Sequence, residues 1–193
     1  MEKKVGFKEA LKLFWQNYVN FKGRSRRSEY WYMTLWHIIF MIPAYALIFI
    51  GMVMAIAGFG DNNGGVGTIG LIVLFLAWIY LILYALATFI PNISILVRRF
   101  HDTGRSMLMP LIGIGAGIFG YIILIIISSM DPEFNSVVSI LFSLIIYLIM
   151  IGLGIYNFVI TLLDSEPNNN KYGPSPKYHS QNNHVNNQYN SNI

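Results

Sequence analysis

The chain has 193 residues, 55% of them apolar and only 11% charged, with a net charge of +4. Soluble domains carry about 25% charged residues, so a soluble globular protein is excluded. Cysteine is absent, which rules out disulfides, thiolate metal sites and cysteine nucleophiles.

Residues 1–30 form a basic arm carrying Lys3, Lys4, Lys8, Lys12, Lys22, Arg24, Arg26 and Arg27. So many cations, with no continuous apolar core among them, argue against a cleaved secretory leader. Inside the arm, VGFKEALKLFWQNYV at 5–19 predicts an amphipathic helix. Phe7, Ala10, Leu11, Phe14, Trp15 and Tyr18 recur at i, i+3, i+4 spacing, with Lys4, Lys8 and Lys12 opposite. Aromatics on one face and lysines on the other describe a helix lying in a membrane interface. Packing on the ends of a helix bundle is the alternative. Tyr30, Trp31 and Tyr32 then open an aromatic belt.

Four apolar blocks follow, at 31–59, 69–97, 107–129 and 137–163, none containing Lys, Arg, Asp or Glu. Each exceeds the roughly 20 residues that cross a bilayer. A charge at the centre of such a span costs about 2.5–3.5 kcal/mol, so its absence from all four is informative. The fold class is therefore all-α: a four-helix transmembrane bundle over 31–163 with an amphipathic N-terminal interfacial helix. Helices of the first two lengths would reach about 43 Å, against a hydrocarbon core of about 30 Å. Pro43 and Pro91 favour bends there. In the third block, Gly113 and Gly117 have the spacing that permits close helix contact.

The connections set direction. Arg98, Arg99 and Arg105 lie between the second and third blocks, and Lys171 and Lys177 in the tail. With the arm, these account for all thirteen basic residues. The segments at 58–68 and 130–136 contain acid and no base. The positive-inside rule then puts both termini in the cytoplasm of a multi-pass protein of the cell membrane. The polar, Asn-rich tail at 164–193 is too poor in apolar residues to bury a core and is expected to be disordered beyond about residue 178.

Three strings stand out: FKGRSRRSEYW at 21–31, RRFHDTGRSM at 98–107 and DSEPNNNKYGPSP at 164–176. In this order, between four apolar blocks, they resemble the YhaH/YhaI-like family of small bacterial inner-membrane proteins, a domain of unknown function. The likeness extends over about residues 5–178. Where that family's pattern often has an aromatic after the second string, this chain has Met107, Leu108 and Met109. The resemblance implies a bacterial cell-membrane protein and no particular activity.

The candidate site gathers Arg24, Arg26, Arg27, Glu29, Arg98, Arg99, His101, Asp102 and Arg105 from the first two strings. Arginine offers a planar fork for carboxylate or phosphate, and Thr103-Gly104 favours a turn that brings Asp102 back toward an arginine; Arg99 and Arg27 are the alternative partners, and the sequence does not choose between them. Three readings remain open: a folded cap of Arg–carboxylate pairs, a site for anionic lipid headgroups, and charge that only orients the chain.

Catalysis is not expected. His101-Asp102 lacks the further ligands a metal phosphohydrolase needs; no serine-hydrolase elbow or phosphate-binding loop is present. His37 reads as a hydrogen-bonded structural histidine, and Tyr80, Tyr84, Tyr147 and Asn157 as interhelical hydrogen bonders. No cofactor, metal or nucleic-acid partner is expected. The leading function is a non-enzymatic membrane protein whose cytoplasmic arginine face binds anionic membrane lipids or a protein partner. The alternative is a small channel or carrier, which would need a homo-oligomer to line a path; an enzyme on lipid headgroups ranks third.

Overall fold

A computed structural model describes residues 5–60, 64–133 and 135–178. The elements are α1 (Phe7–Gln16), α2 (Arg27–Gly60), α3 (Gly64–Asp102), α4 (Leu108–Met130) and α5 (Val137–Leu162). The last four are long and apolar enough to cross a membrane, and the protein is an all-α membrane protein with four such helices. The disorder expected beyond about residue 178 lies outside the described residues.

The chain divides into two units. The first comprises Val5–Asn20 and Ser28–Ser94, and is a hairpin of α2 and most of α3 with α1 laid on it. Glycine allows the hairpin to close. A Cβ on Gly70 would collide with the backbone of Ala55, and one on Gly58 with the backbone of Gly67, so the two backbones meet with no side chain between them. Polar groups inside the hairpin are paired, as a low-dielectric setting requires. His37 donates from Nε2 to Asn92 Oδ1 at 2.8 Å and accepts the Tyr84 hydroxyl on Nδ1 at 2.5 Å. Tyr80 donates to Phe40 O at 2.9 Å. These three side chains serve as the interhelical ties expected of them.

Pro91 sits within α3 and has no N–H for the carbonyl four residues back. That carbonyl, Ala87 O, accepts the Tyr18 hydroxyl at 2.9 Å. Tyr18, two residues past the end of α1, thus supplies the donor that proline removes. Helix α1 turns much of its apolar face to protein: Ala10 and Phe14 are buried, Phe7 stacks on Trp36 at 4.4 Å, and Trp36 donates to Phe7 O. Trp15, 45% exposed, and the exposed Lys8 and Lys12 are left for a membrane surface.

The second unit comprises Phe21–Arg27 and the described residues from Ile95 onward. Helices α4 and α5 pack together in it. Of the α4 glycines, Gly113 faces Asn157 and Gly120 faces Met150 and Ile146, while Gly117 meets nothing within 4 Å. The expected Gly113/Gly117 pair is therefore corrected to Gly113/Gly120. The seven-residue spacing keeps one face of α4 on α5 over two turns. Asn157 packs against Gly113 rather than bridging by its carbonyl oxygen, which has no protein partner among the described residues.

The connection between the second and third blocks is also shorter than expected. Arg98–Asp102 are the last turn of α3, leaving 103–107 as the loop. Gly104, at φ 75°, closes the helix in the left-handed region. Its N–H donates to His101 O, and the Arg105 N–H reaches back to Phe100 O at 3.0 Å. This pair of bonds is the Schellman termination that glycine favours, and basic residues in a last turn suit the helix dipole.

Candidate functional site: a buried arginine–aspartate cap

The cap lies within the second unit and is built from three chain segments. The first is 21–27, an irregular stretch with Gly23 at φ 82°, tied to α3 by the Ser25 N–H donating to Arg98 O at 3.0 Å. The second is the last turn of α3. The third is the chain after α5, which returns through Ser165 and Glu166; the Glu166 N–H donates to Asp102 O at 2.9 Å.

Asp102 is fully buried. Its Oδ1 accepts Arg24 Nε at 3.0 Å. Its Oδ2 accepts Arg99 Nη1 at 2.5 Å and the Ser165 hydroxyl at 2.5 Å. Arginine has five N–H donors, and Arg24 meets five acceptors: Asp102 Oδ1 through Nε, Asn168 O and Gly173 O through Nη1, and Glu166 O and Asp102 O through Nη2. Arg99 donates to Asp102, to Thr161 O and to Leu163 O. Both guanidiniums are thus spent on holding the segment after α5 against the end of α3.

Around Asp102 itself, two guanidiniums meet one carboxylate, an excess of one positive charge. The helix dipoles offset it. Asp102 and Thr161–Leu163 mark the C-terminal ends of α3 and α5, each carrying roughly half a negative charge in unpaired carbonyls. Arg99 reaches two of those carbonyls directly. Burial of charge requires such complete satisfaction, because an unpaired ion in this setting is very costly.

Aromatic and amide contacts complete the cap. His101 donates from Nδ1 to Gly23 O at 3.2 Å and stacks on Tyr172, ring centroids 3.6 Å apart and 6° from parallel. Asn170 donates to His101 O at 3.0 Å and to Glu166 Oε2 at 2.7 Å. A bridge between Asn170 and Gly173 turns the chain. Farther out, Asp164 accepts Lys177 Nζ at 2.5 Å, and that bond holds its carboxyl below the ordinary carboxylate range.

Of the residues singled out from sequence, Arg24, Arg99, His101 and Asp102 come together. Arg98 is buried beside them on α3. Of the two candidate partners of Asp102, Arg99 pairs with it and Arg27 does not; Arg27 donates to Leu162 O at 3.2 Å, and Arg24 is the second partner. The reason is position: Arg27 opens α2, whereas Arg24 lies in the irregular stretch that runs past the end of α3. Arg105 is half-buried and donates to Thr103 O, and Arg26 is half-buried. Glu29 is buried in the first turn of α2, in the other unit. Sequence reasoning did not assign Ser165, Glu166, Asn170 or Tyr172 to the site. Their signal was the third string, an Asn/Gly/Pro-rich turn sequence too specific for an idle tail. Among the described residues, no three His, Asp or Glu side chains are grouped to hold a metal ion.

Residues 18–174 match the family described as "Protein of unknown function (DUF805)", a span that includes all three segments of the cap. The chain is 37% identical over 91 residues to inner membrane protein YhaI of Escherichia coli K12, an alignment covering 47% of this chain and 58% of that one. It is 34% identical over 104 residues to inner membrane protein YhaH of the same strain, covering 51% and 71%. The chain thus spans little more than half the length of the first of these relatives. No solved structure matches.

Proposed function

The chain belongs to the DUF805 family of proteins of unknown function, and from that premise we propose that it is a non-enzymatic protein of the cell membrane, with both termini cytoplasmic, whose arginine-bearing end holds anionic lipid headgroups. One observation carries the reading: in the cap-bearing unit the two cations that meet Asp102 are buried, while Arg27, Arg105 and Lys171 stand outside that cluster. Arg24 and Arg99 have side chains 1% and 0% exposed and direct their donors to groups inside the cap. Arg27 and Lys171 are exposed and Arg105 half-exposed, and none of these three is drawn into the Asp102 cluster. The buried set builds the cap. The outer set faces what lies beyond it, and at a cytoplasmic membrane surface that is an anionic leaflet. Guanidinium forks suit phosphate oxygens.

The test is lipid retention by the purified full-length protein, measured by native mass spectrometry after equal exposure to phosphatidylglycerol and phosphatidylcholine. The wild type is expected to retain phosphatidylglycerol several-fold over phosphatidylcholine. The variant Arg27→Gln/Arg105→Gln/Lys171→Gln is expected to lose that preference. Equal preference in both proteins would remove the headgroup reading and leave these cations as orienting charge.

A further inference from the structure

At the far end of α4 from the 103–107 loop, α4 and α5 leave a cavity of about 530 Å³ between them. Tyr121, Ser128, Ser129, Ser143 and Tyr147 contribute hydroxyl-bearing side chains to its wall, and the rest is aliphatic. No lining residue carries a charge. A volume of this size is in the range of small-molecule sites, which combine an apolar wall with a few placed polar groups.

Ser143 distinguishes this cavity from a chance gap. It is 7% exposed, and its hydroxyl has no hydrogen-bond partner among the described residues. Helical hydroxyls ordinarily bond a carbonyl three or four residues back. Thr34, Thr68, Thr88, Ser129 and Thr161 all do so in this protein. Ser143 does not, and so holds a donor toward the cavity.

Depth narrows the ligand. Ser129 is the penultimate residue of α4, which ends at Met130, and Ser143 lies six residues into α5, which starts at Val137. At 1.5 Å per residue that is about 9 Å from the helix start. The hydroxyls therefore run from the membrane boundary into the first part of the hydrocarbon, the zone where lipid ester groups give way to acyl chains. A phosphate or an ammonium would find no counter-charge on this wall. An ester carbonyl would find a hydroxyl donor, with an apolar slot for the chain attached to it.

We propose that the α4–α5 cavity is a binding site for the acyl-ester region of a bilayer lipid, with the Ser143 hydroxyl donating to the ester carbonyl and Tyr147 flanking it. The site is separate from the arginine cap and does not depend on headgroup binding there.

Photo-crosslinking of the full-length protein in nanodiscs tests this. One probe is a diacylglycerol carrying a diazirine on its acyl chain; the other is a hydrocarbon of the same length with the same diazirine and no ester. The diacylglycerol probe is expected to label peptides containing 121–129 and 143–147 at least fivefold more than the hydrocarbon does. Ser143→Ala is expected to lower that labelling by a factor of about five, the weight of one hydrogen bond, with melting temperature unchanged. Equal labelling of α4 and α5 by the two probes in wild type would overturn the proposal, and that result needs no variant to fold. So would disulfide-linked dimers through Tyr147→Cys that abolish labelling, because a second copy would then be the occupant.

Discussion

Asp102 accepts hydrogen bonds from Arg24, Arg99 and Ser165, and each donor comes from a different segment of the chain. Asp102→Asn keeps the shape and removes the charge, leaving two guanidiniums buried without a counter-ion. Breaking a buried pair from one side costs about 3–5 kcal/mol, so a large fall in melting temperature is expected in detergent. Because Arg24 and Arg99 are shielded, anionic lipid is expected not to restore it. Ser165→Ala removes a single bond to a charged acceptor, worth about 1.5–3 kcal/mol, and is expected to fall between Asp102→Asn and wild type. Asp164 is a milder case. Its carboxyl is held low by Lys177, and Lys177 is held high by Asp164. A depressed carboxylate stabilises the fold above its unfolded value and ceases to do so as pH falls through the folded one. A raised lysine stabilises below its unfolded value and ceases to do so as pH rises through the folded one. The difference in melting temperature between wild type and Asp164→Asn should therefore be small and flat near neutrality, as befits an exposed pair. It should disappear as pH falls through the lowered titration of Asp164, below the ordinary carboxylate range.

At the scale of elements, helix contacts are set by where glycine stands. Gly70→Ala places a Cβ against the backbone of Ala55 and the Gly51 carbonyl, which cannot move aside as a side chain can. It is expected to destabilise by about 1–3 kcal/mol, the range for overpacking. Gly115→Ala meets nothing within 4 Å and is expected to be neutral or slightly stabilising, since alanine favours helix. Melting curves of the two variants in one detergent check the contrast. The Tyr18–Pro91 relation gives a sharper test. Tyr18→Phe should cost about 1 kcal/mol by leaving Ala87 O bare. In a Pro91→Ala background, where the backbone N–H returns, the same change should cost nothing. The four spans were legible in the sequence because a charge inside the membrane is expensive, so the apolar blocks had to be clean. Helix ends and faces were less legible. Arg98–Asp102 looked like loop because charge marks the end of a span, while the helix continues until Gly104 stops it. The Gly113/Gly120 face was hidden by Gly115 and Gly117, since composition does not say which glycine meets a neighbour.

For the whole molecule, the cap explains why three strings far apart in sequence are distinctive together: they supply the walls, the ions and the closing strap of one structure. The arginines were legible as a set, but their division into buried and outward members was not. That division depends on the carbonyls of 161–173, which carry no sequence signature. The account rests most on sidedness, because a headgroup role for Arg27, Arg105 and Lys171 presumes that their end of the molecule faces the cytoplasmic leaflet. The chain has no cysteine, so single cysteines report cleanly. Ser175 is 1% exposed and would be silent from either side, whereas Asn169 and Asn135 are both exposed. The decisive measurement is the reaction of Asn135→Cys and Asn169→Cys with a membrane-impermeant thiol reagent in intact cells and after permeabilisation. Cysteine at 135 is expected to react in intact cells, and cysteine at 169 only once the membrane is opened. Reaction at 169 in intact cells, with none at 135, would contradict the account.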